Sequence, residues 1–555
     1  MEGSEGPAPR APRDISGAKT GGARVLLIGG TGVFGSRLAT GLRKLPGVAV
    51  LVAGRGGGND VTLDRSATDL AARIAAAAPA IVIDAAGPFQ SYGDAPYAVA
   101  RAAIACGAHY LDLSDDAGFT AGIAALDAEA KAAGVAVISG VSSVPALSSA
   151  AVEELRAGLA DIHLIESVIL PGNRAPRGLS VMRAILAQAG RPLRVRRAGR
   201  AVELPGWGAL RRIRLPGLGA RWTSVIGAPD LALFPDRYGA RSVAFRAGLE
   251  LPILHLGLWA LSLPIRLGWL RSLEPAARPM RWLAARFEAF GTDRGGMRVR
   301  VVGRGPEGAV RRDWTLLAEA GDGPHIPALP GRVMVGKLLA GEIAPGARAC
   351  LGEFTPGEAR ATGRDLALTF ARNETPLVPV FAHALGPDLA TLPAPVRDLH
   401  DVLAFRRWTG TARVDRGTGL LARLVCAVVG FPPAADAVPV EVTMERRGEV
   451  EIWTRDFGGR RFRSVLRAAG PEGSGLVTER FRPLTFRIRL TPEGGALRYP
   501  VEAGRCGPVP IPRALLPHSE TLEGADGEAA TFDVGISLPL AGMVVRYRGR
   551  IESAG

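Results

Sequence analysis

The stretch RVLLIGGTGVFGSRLATGLRK, residues 24–44, restricts what the chain can fold into more than any other. Residues 24–28 form a short apolar run suited to a buried parallel strand, after which Phe34, Leu38 and Leu42 recur at helical spacing. Between them stands Gly30-Thr31-Gly32-Val33-Phe34-Gly35, an intact G-x-G-x-x-G. The first glycine permits a tight turn and the second lets backbone N–H groups approach a pyrophosphate. The third lets the helix pack closely on the strand with its N-terminus facing the anion. Because the pattern lies between a strand and a helix, the expectation is a dinucleotide site. A glycine turn with only a structural duty is the competing reading.

In the next strand, VAVLVAGR (48–55), an acidic residue at the tip would bind the ribose 2′-hydroxyl of NAD; here the tip is Gly54-Arg55. An arginine there can pair with a 2′-phosphate, so NADP is favoured over NAD, against the reading of Arg55 as one more surface arginine. Asp60 and Asp64 follow in NDVTLD, a short third strand near the adenine side. A strand and loop at 80–89 and extended segments at 109–116 and 135–141 then alternate with helices over roughly 94–106 and up to about 133, which predicts a Rossmann-type doubly wound parallel sheet over residues 23–150. Ligands bind such sheets beyond the carboxyl ends of the strands. The expected crevice is therefore lined by Ala86, Gly87, Pro88 and Phe89, by Asp112 to Asp116, and by Gly140 to Pro145.

Those loops carry a family resemblance. DAAGPFQSYGDAPYAVARAAIACGAHYLDLSDD followed by ISGVSSVPALSS resembles the saccharopine dehydrogenase-like NAD(P)-binding proteins across residues 24–150. The resemblance implies that Gly87, Pro88 and Phe89 lie beside a nicotinamide, with Tyr110 and Asp112 in the following strand. The chain departs from the family's Asp-Leu-Thr-Gly-Glu at Asp112-Leu113-Ser114-Asp115-Asp116, and Ser142 replaces the acid of the Gly-Phe-Asp-Ser loop. The resemblance therefore implies hydride transfer without naming a substrate. Tyr110, Asp112 and Asp115 are the candidate acids or bases by position. The Tyr-x-x-x-Lys pair of short-chain dehydrogenases is missing, since Tyr97 is followed at that spacing by Arg101, which does not readily lose its proton.

With 555 residues the chain is expected to hold about three domains at ~100–200 residues each. Residues 1–22, rich in Gly and Pro and lacking an apolar signal core, read as a loose tail, and a cytoplasmic location is expected. The net charge of +15 is spread as arginine along the whole chain, without aromatic-basic interleaving, so no nucleic-acid partner is expected. Cys106, Cys350, Cys426 and Cys506 are far apart, which argues against disulfides and structural zinc, and no metal is expected.

Residues 151–380 read as an α+β substrate or dimerisation domain. Arg174 and Arg177 sit in a loop that could clamp an anion, residues 295–323 read as a hairpin, and His325 follows as a loop histidine without an evident partner. The most apolar window, LPILHLGLWALSLPIRLGWL (251–270), is interrupted by His255, Arg266 and two prolines, and falls short of the ~20 residues a membrane span needs. It is read as a buried or homodimer-interface helix, or as a contact with a membrane surface or lipid.

Beyond residue 380 the pattern turns to strands. Val440, Val442 and Met444 alternate with polar residues, as do Phe486, Ile488 and Leu490, predicting a large antiparallel β-rich domain over 381–555. On LPAPVRDLH, EIWTRDFGGRRFRS, IPRALLPHSE and LAGMVVRYRG this region resembles the uncharacterised DUF4166 family. Two functions from different classes remain: an NADP-dependent oxidoreductase acting on a carbonyl, imine or hydrophobic substrate, or a nucleotide-bound scaffold whose C-terminal domain binds a lipid-like ligand or partner protein.

Overall fold

The computed structural model describes residues 22–176 and 178–554. The tail expected over residues 1–22 thus falls, except for Gly22, outside the described residues, as does Arg177.

Seven parallel strands make the first sheet, in the spatial order Gly346–Ala349, Ala136–Ser139, His109–Asp112, Ile81–Asp84, Ala23–Ile28, Val48–Gly54 and Val61–Thr62. The direction of winding reverses beside Ala23–Ile28, so this doubly wound sheet has its switch point at the glycine loop. Both faces of the first strand are covered: Val25 and Leu27 belong to one core cluster, Leu26 and Ile28 to another. Burial on both faces is why the strand reads as an unbroken apolar run. The helix Val33–Leu42 then inserts Leu38 and Leu42 beneath the sheet.

The parallel sheet draws on chain well beyond residue 150. Its edge strand Gly346–Ala349 and the helix Leu329–Leu339 come from after the middle region, and Gly331 in that helix lies close against Leu38. The middle region is accordingly inserted between the sixth and seventh strands.

A second sheet follows the order Gly208–Leu215, Gly219–Val225, Val243–Ala247, Asp161–Leu170, Gly295–Gly305, Gly308–Ala318 and Leu368–Pro376, with the hairpin Pro192–Arg197/Arg200–Pro205 branching from the interior strand Val243–Ala247. The hairpin expected at 295–323 is present, closing at Gly305 and Gly308. Antiparallel pairing, expected before residue 380 only in that hairpin, extends across this sheet, from Asp161–Leu170 against Gly295–Gly305 to the strands of residues 192–225. The latter escape notice because arginine interrupts their buried face. Ile213 and Leu215 are buried, and Arg211, two residues before Ile213 on the same face, reaches the buried Glu166 at 3.1 Å.

Thirteen antiparallel strands form the third sheet, with Phe405–Arg416 near its middle, flanked by Ala435–Arg447 and Gly542–Ser553. The alternation read from sequence is real: Val440, Val442 and Met444 point to one core, and Val440 and Met444 stand opposite Phe457 and Trp453. This domain meets the middle sheet through Leu403 and Ala404 against Leu164 and Val302, and through an ion pair between Arg304 and Asp401.

Candidate functional site

A crevice of about 1840 Å³ opens beyond the carboxyl ends of the parallel strands, and the second sheet closes its far side. The glycine loop and the loop 85–89 lie side by side, because the strands before them are neighbours in the sheet. The three glycines divide their work as the motif requires. A Cβ on Gly30 would stand 2.8 Å from Val52, and one on Gly35 would collide with the Gly29 carbonyl. At Gly32 a Cβ would meet nothing closer than the Gly29 carbonyl oxygen at 3.2 Å, and the residue faces the crevice.

The helix that starts at Val33 has no side-chain cap, and the amides of Val33, Phe34 and Gly35 find no acceptor among the described residues. Unsatisfied N–H groups at a helix start, under a surface kept clear by glycine, fit a pyrophosphate. Thr31, Gly32, Val33 and Phe34 line the crevice, whereas Gly30 and Gly35 act from beneath it. Arg55 also lines it and makes no hydrogen bond or ion pair among the described residues. The charge of Arg55 nonetheless helps to hold the Asp64 carboxyl below its usual range, after the hydrogen bonds that Asp64 accepts from Ser66.

Ala86, Gly87, Pro88 and Phe89 line the crevice opposite the glycine loop. Their loop is fixed from below by Asp84, a fully buried residue whose carboxylate accepts from the Ala86 amide at 2.9 Å and from the Tyr92 hydroxyl at 2.8 Å. Burial pushes the Asp84 pKa up, opposed by those two bonds and the charge of Arg65. The Tyr92 ring stacks on Phe89 at 4.9 Å, and the Arg65 guanidinium lies over the Tyr92 ring, 3.6 Å from its centre.

The three candidate acids or bases are not brought together in the crevice. Asp115 lines it: its carboxylate is open to solvent inside a recess walled by protein, accepts from Gln90 at 3.4 Å, and has its pKa pushed up by that enclosure. Tyr110 is instead packed among Leu26, Val82 and Val137 in the core on one face of the sheet. Strand alternation explains this placement, since Leu111 takes the other face. Asp112 is wholly buried and accepts from the Gly140 amide, the Ser114 amide and the Ser139 hydroxyl at 2.8–2.9 Å. Burial raises its pKa to about 7 against the pull of those donors. It braces the loop 140–145 rather than facing a ligand.

The far wall is apolar: Val181 and Ile185 of the helix Leu179–Gln188, with Trp207, Ile226, Phe245 and Met297. Its shape follows from the middle sheet, which offers alternate side chains of neighbouring strands to one face. Arg174 is exposed and turned to the Ala289 carbonyl at 3.5 Å, so it does not contribute to an anion clamp. His325 lies beside Asp322 at 3.9 Å, outside the crevice wall. His255 is buried, and its Nδ1 accepts from the Leu249 amide at 3.3 Å. Its proton therefore resides on Nε2, which donates to Ser224 at 3.1 Å, and burial drops the ring pKa to about 4.

The window 251–270 folds into two short helices, Pro252–Leu261 and Leu263–Arg266, and no helix among the described residues is long and apolar enough to cross a membrane. Sequence reasoning passed over Asp84 and Tyr92. The signal was present in AIVID, where an acid ends a buried strand at the switch point.

No curated protein matches the chain. Among solved structures, GenD2 from gentamicin A biosynthesis in complex with NAD aligns over 67% of this chain and 100% of its own, at 16% identity and a TM-score of 0.28. The C. glutamicum DAP dehydrogenase in complex with DAP aligns over 61% and 95%, at 15% identity and a TM-score of 0.34. The WlbA dehydrogenase from Thermus thermophilus in complex with NAD and α-ketoglutarate aligns over 61% and 94%, at 13% identity and 0.29. Residues 392–551, which span the antiparallel C-terminal sheet, match the family described as a domain of unknown function, DUF4166.

Proposed function

We propose that the chain is an NADP-dependent oxidoreductase of the saccharopine dehydrogenase-like type, acting on an apolar molecule that carries a carbonyl or imine. One observation carries this reading: the glycine loop and an apolar chamber open on the same crevice. Its volume of about 1840 Å³ exceeds the ~300–1,000 Å³ of a pocket for one small ligand, so it suits a dinucleotide and a second molecule together.

The residues divide accordingly. The amides of Val33, Phe34 and Gly35 would hold the pyrophosphate, Arg55 would read the 2′-phosphate, and Gly87 to Phe89 would flank the nicotinamide. When bound, that cofactor supplies a hydride donor or acceptor. Val181, Ile185, Trp207 and Phe245 would exclude water and orient the apolar reactant. Asp115, with its raised pKa, is the carboxyl group placed to hold a proton at the crevice wall.

The apolar chamber also lies beneath an apolar surface. The helix Leu179–Gln188, which lines the crevice, packs on its outer side against Ala277–Ala285. From there, Trp269 (75% exposed), Trp282 (61%), Phe290, Leu267 and Ile253 present large apolar side chains to the outside, interspersed with Arg271, Arg278 and Arg281. A membrane contact through this face would bring an apolar substrate to the chamber.

The second reading, a nucleotide-bound scaffold, is favoured by the withdrawal of Tyr110 and Asp112 from the crevice. Titration with NADPH and NADH, by calorimetry, tests the binding half. The expected result is NADPH binding at least about tenfold tighter than NADH, lost selectivity in Arg55→Asp, and lost binding in Gly32→Val. Absence of binding to both cofactors overturns both readings. NADPH oxidation with a panel of long-chain ketones, aldehydes and imines separates them, since a scaffold binds the cofactor without consuming it.

A further inference from the structure

The C-terminal sheet encloses a cavity of about 370 Å³ that the crevice chemistry does not use. Its walls are overwhelmingly apolar, with Val442, Phe457, Leu466, Phe532 and Val534 contributed by distant strands of the curled sheet and Phe381 by the helix Val380–Leu385. At ~30 Å³ for a water-sized group, the space suits about a dozen methylene-sized units.

Two hydroxyls in the wall, those of Tyr547 and Thr531, have no hydrogen-bond partner among the described residues, while the charged groups are paired with one another. Arg455 is paired with Glu479 at 3.4 Å and with the Ser464 hydroxyl at 2.9 Å. Glu523 is taken by His400 at 2.7 Å and by the Tyr499 hydroxyl. Tyr547 differs. It is 6% exposed, lines the cavity, and its hydroxyl has no hydrogen-bond partner among the described residues. That hydroxyl opens on the apolar cavity, where a ligand oxygen can accept from it or donate to it. Because the charges in the wall are already paired, a neutral ligand fits better than an ion.

Part of the cavity wall is the helix Leu420–Val429, sequence LLARLVCAVV. Val425 and Val429 face the cavity, and Ala422 and Cys426 are buried against the sheet. Leu420 (85% exposed), Leu424 (61%) and Val428 (77%) recur every four residues as an outward stripe, beside the exposed Leu540 and Met543. A surface helix normally turns polar residues outward, and this one carries a single charged residue, Arg423. The same short helix thus has one apolar face in the cavity and another in the open, and its charge is cationic.

We propose that the C-terminal domain is a lipid-binding cup. It takes a neutral, single-chain lipid with a hydroxyl or carbonyl head from a bilayer on which the helix 420–429 docks. The head meets the Tyr547 hydroxyl and the chain fills the apolar interior. This site is separate from the crevice and stands whether or not the crevice turns a substrate over.

The test uses the full chain, with 1-dodecanol, dodecane and dodecanoate as probes. Native mass spectrometry is expected to show one dodecanol bound per chain, at least about tenfold more tightly than dodecanoate. Val534→Trp, which fills the cavity, should abolish it. Tyr547→Phe should weaken dodecanol by about three- to tenfold, as befits one hydrogen bond, and leave dodecane unchanged. The double variant Leu424→Glu/Val428→Glu should bind dodecanol from solution normally. Its uptake from vesicles of phosphatidylcholine and phosphatidylglycerol should be at least about tenfold slower. No dodecanol binding by the native chain, or an unchanged affinity in both cavity variants, overturns the cup. A native dimer that the double variant converts to a monomer, by light scattering, assigns the stripe to a second copy and overturns the docking.

Discussion

The Tyr92 hydroxyl donates to the buried Asp84 carboxylate at 2.8 Å, and this bond ties the crevice wall to the end of the strand at the sheet's switch point. In Tyr92→Phe, Asp84 keeps the Ala86 amide but loses its hydroxyl donor in a dry site. The expected loss is about 1–3 kcal/mol of stability. NADPH affinity should fall with it, because the loop 85–89 loses its brace. Chemical denaturation and calorimetry on the same preparation check both, and an unchanged melting curve would leave the bond without a supporting role.

Asp112 makes stability depend on pH in an unusual direction. Its folded pKa is about 7, above the ordinary 3.8, so the folded state holds the proton more tightly than the unfolded chain. Its stabilising contribution is complete below pH 3.8 and declines as pH rises through about 7. Asp112→Asn should flatten the stability profile between pH 5 and about 8. Thermal melting across that window checks the slope, and an identical slope in the variant contradicts the assignment.

Glu166 lies among Arg298 at 2.5 Å, Arg211 at 3.1 Å and Arg246 at 3.5 Å, on the face of the middle sheet opposite the apolar core. Burial alone would raise its pKa, and the three arginines together bring it to about 2. Glu166→Gln leaves those guanidinium groups buried without their common anion, and should destabilise the chain by about 3–5 kcal/mol. Urea denaturation measures this. A loss below about 1 kcal/mol would mean that water reaches the cluster.

The exposed Trp269 and Trp282 give the membrane contact a direct test. Flotation with vesicles containing anionic lipid should fall by about tenfold in Trp269→Ser/Trp282→Ser, with the melting temperature unchanged because neither ring is part of a core. Unchanged flotation together with a loss of dimer would assign the face to a second copy of the chain.

The glycine loop, the alternation of strand and helix after it and the alternation of the C-terminal strands were legible because each depends on local spacing. Gly32 and Val33 reveal their duty within six residues, and Val440, Val442 and Met444 within five. The antiparallel strands of residues 192–225 were not legible. Arginines such as Arg211 occupy their buried face, and a buried arginine looks like a surface one until its partner, Glu166, is placed beside it.

The sequence by itself determined that strand, glycine loop and helix meet at Gly30 to Gly35, since that arrangement follows from backbone sterics and short-range hydrophobic periodicity. Tertiary structure alone decided which acids face the crevice. Asp112 and Asp115 are three residues apart, yet one is sealed under the loop at Gly140 and the other opens on the recess. It also decided that the strand Gly346–Ala349 closes a sheet begun at residue 23, and that Val425 and Leu424, adjacent in the chain, look into a cavity and out of the protein. Such outcomes depend on which distant segments cover a side chain, and local spacing carries no record of that.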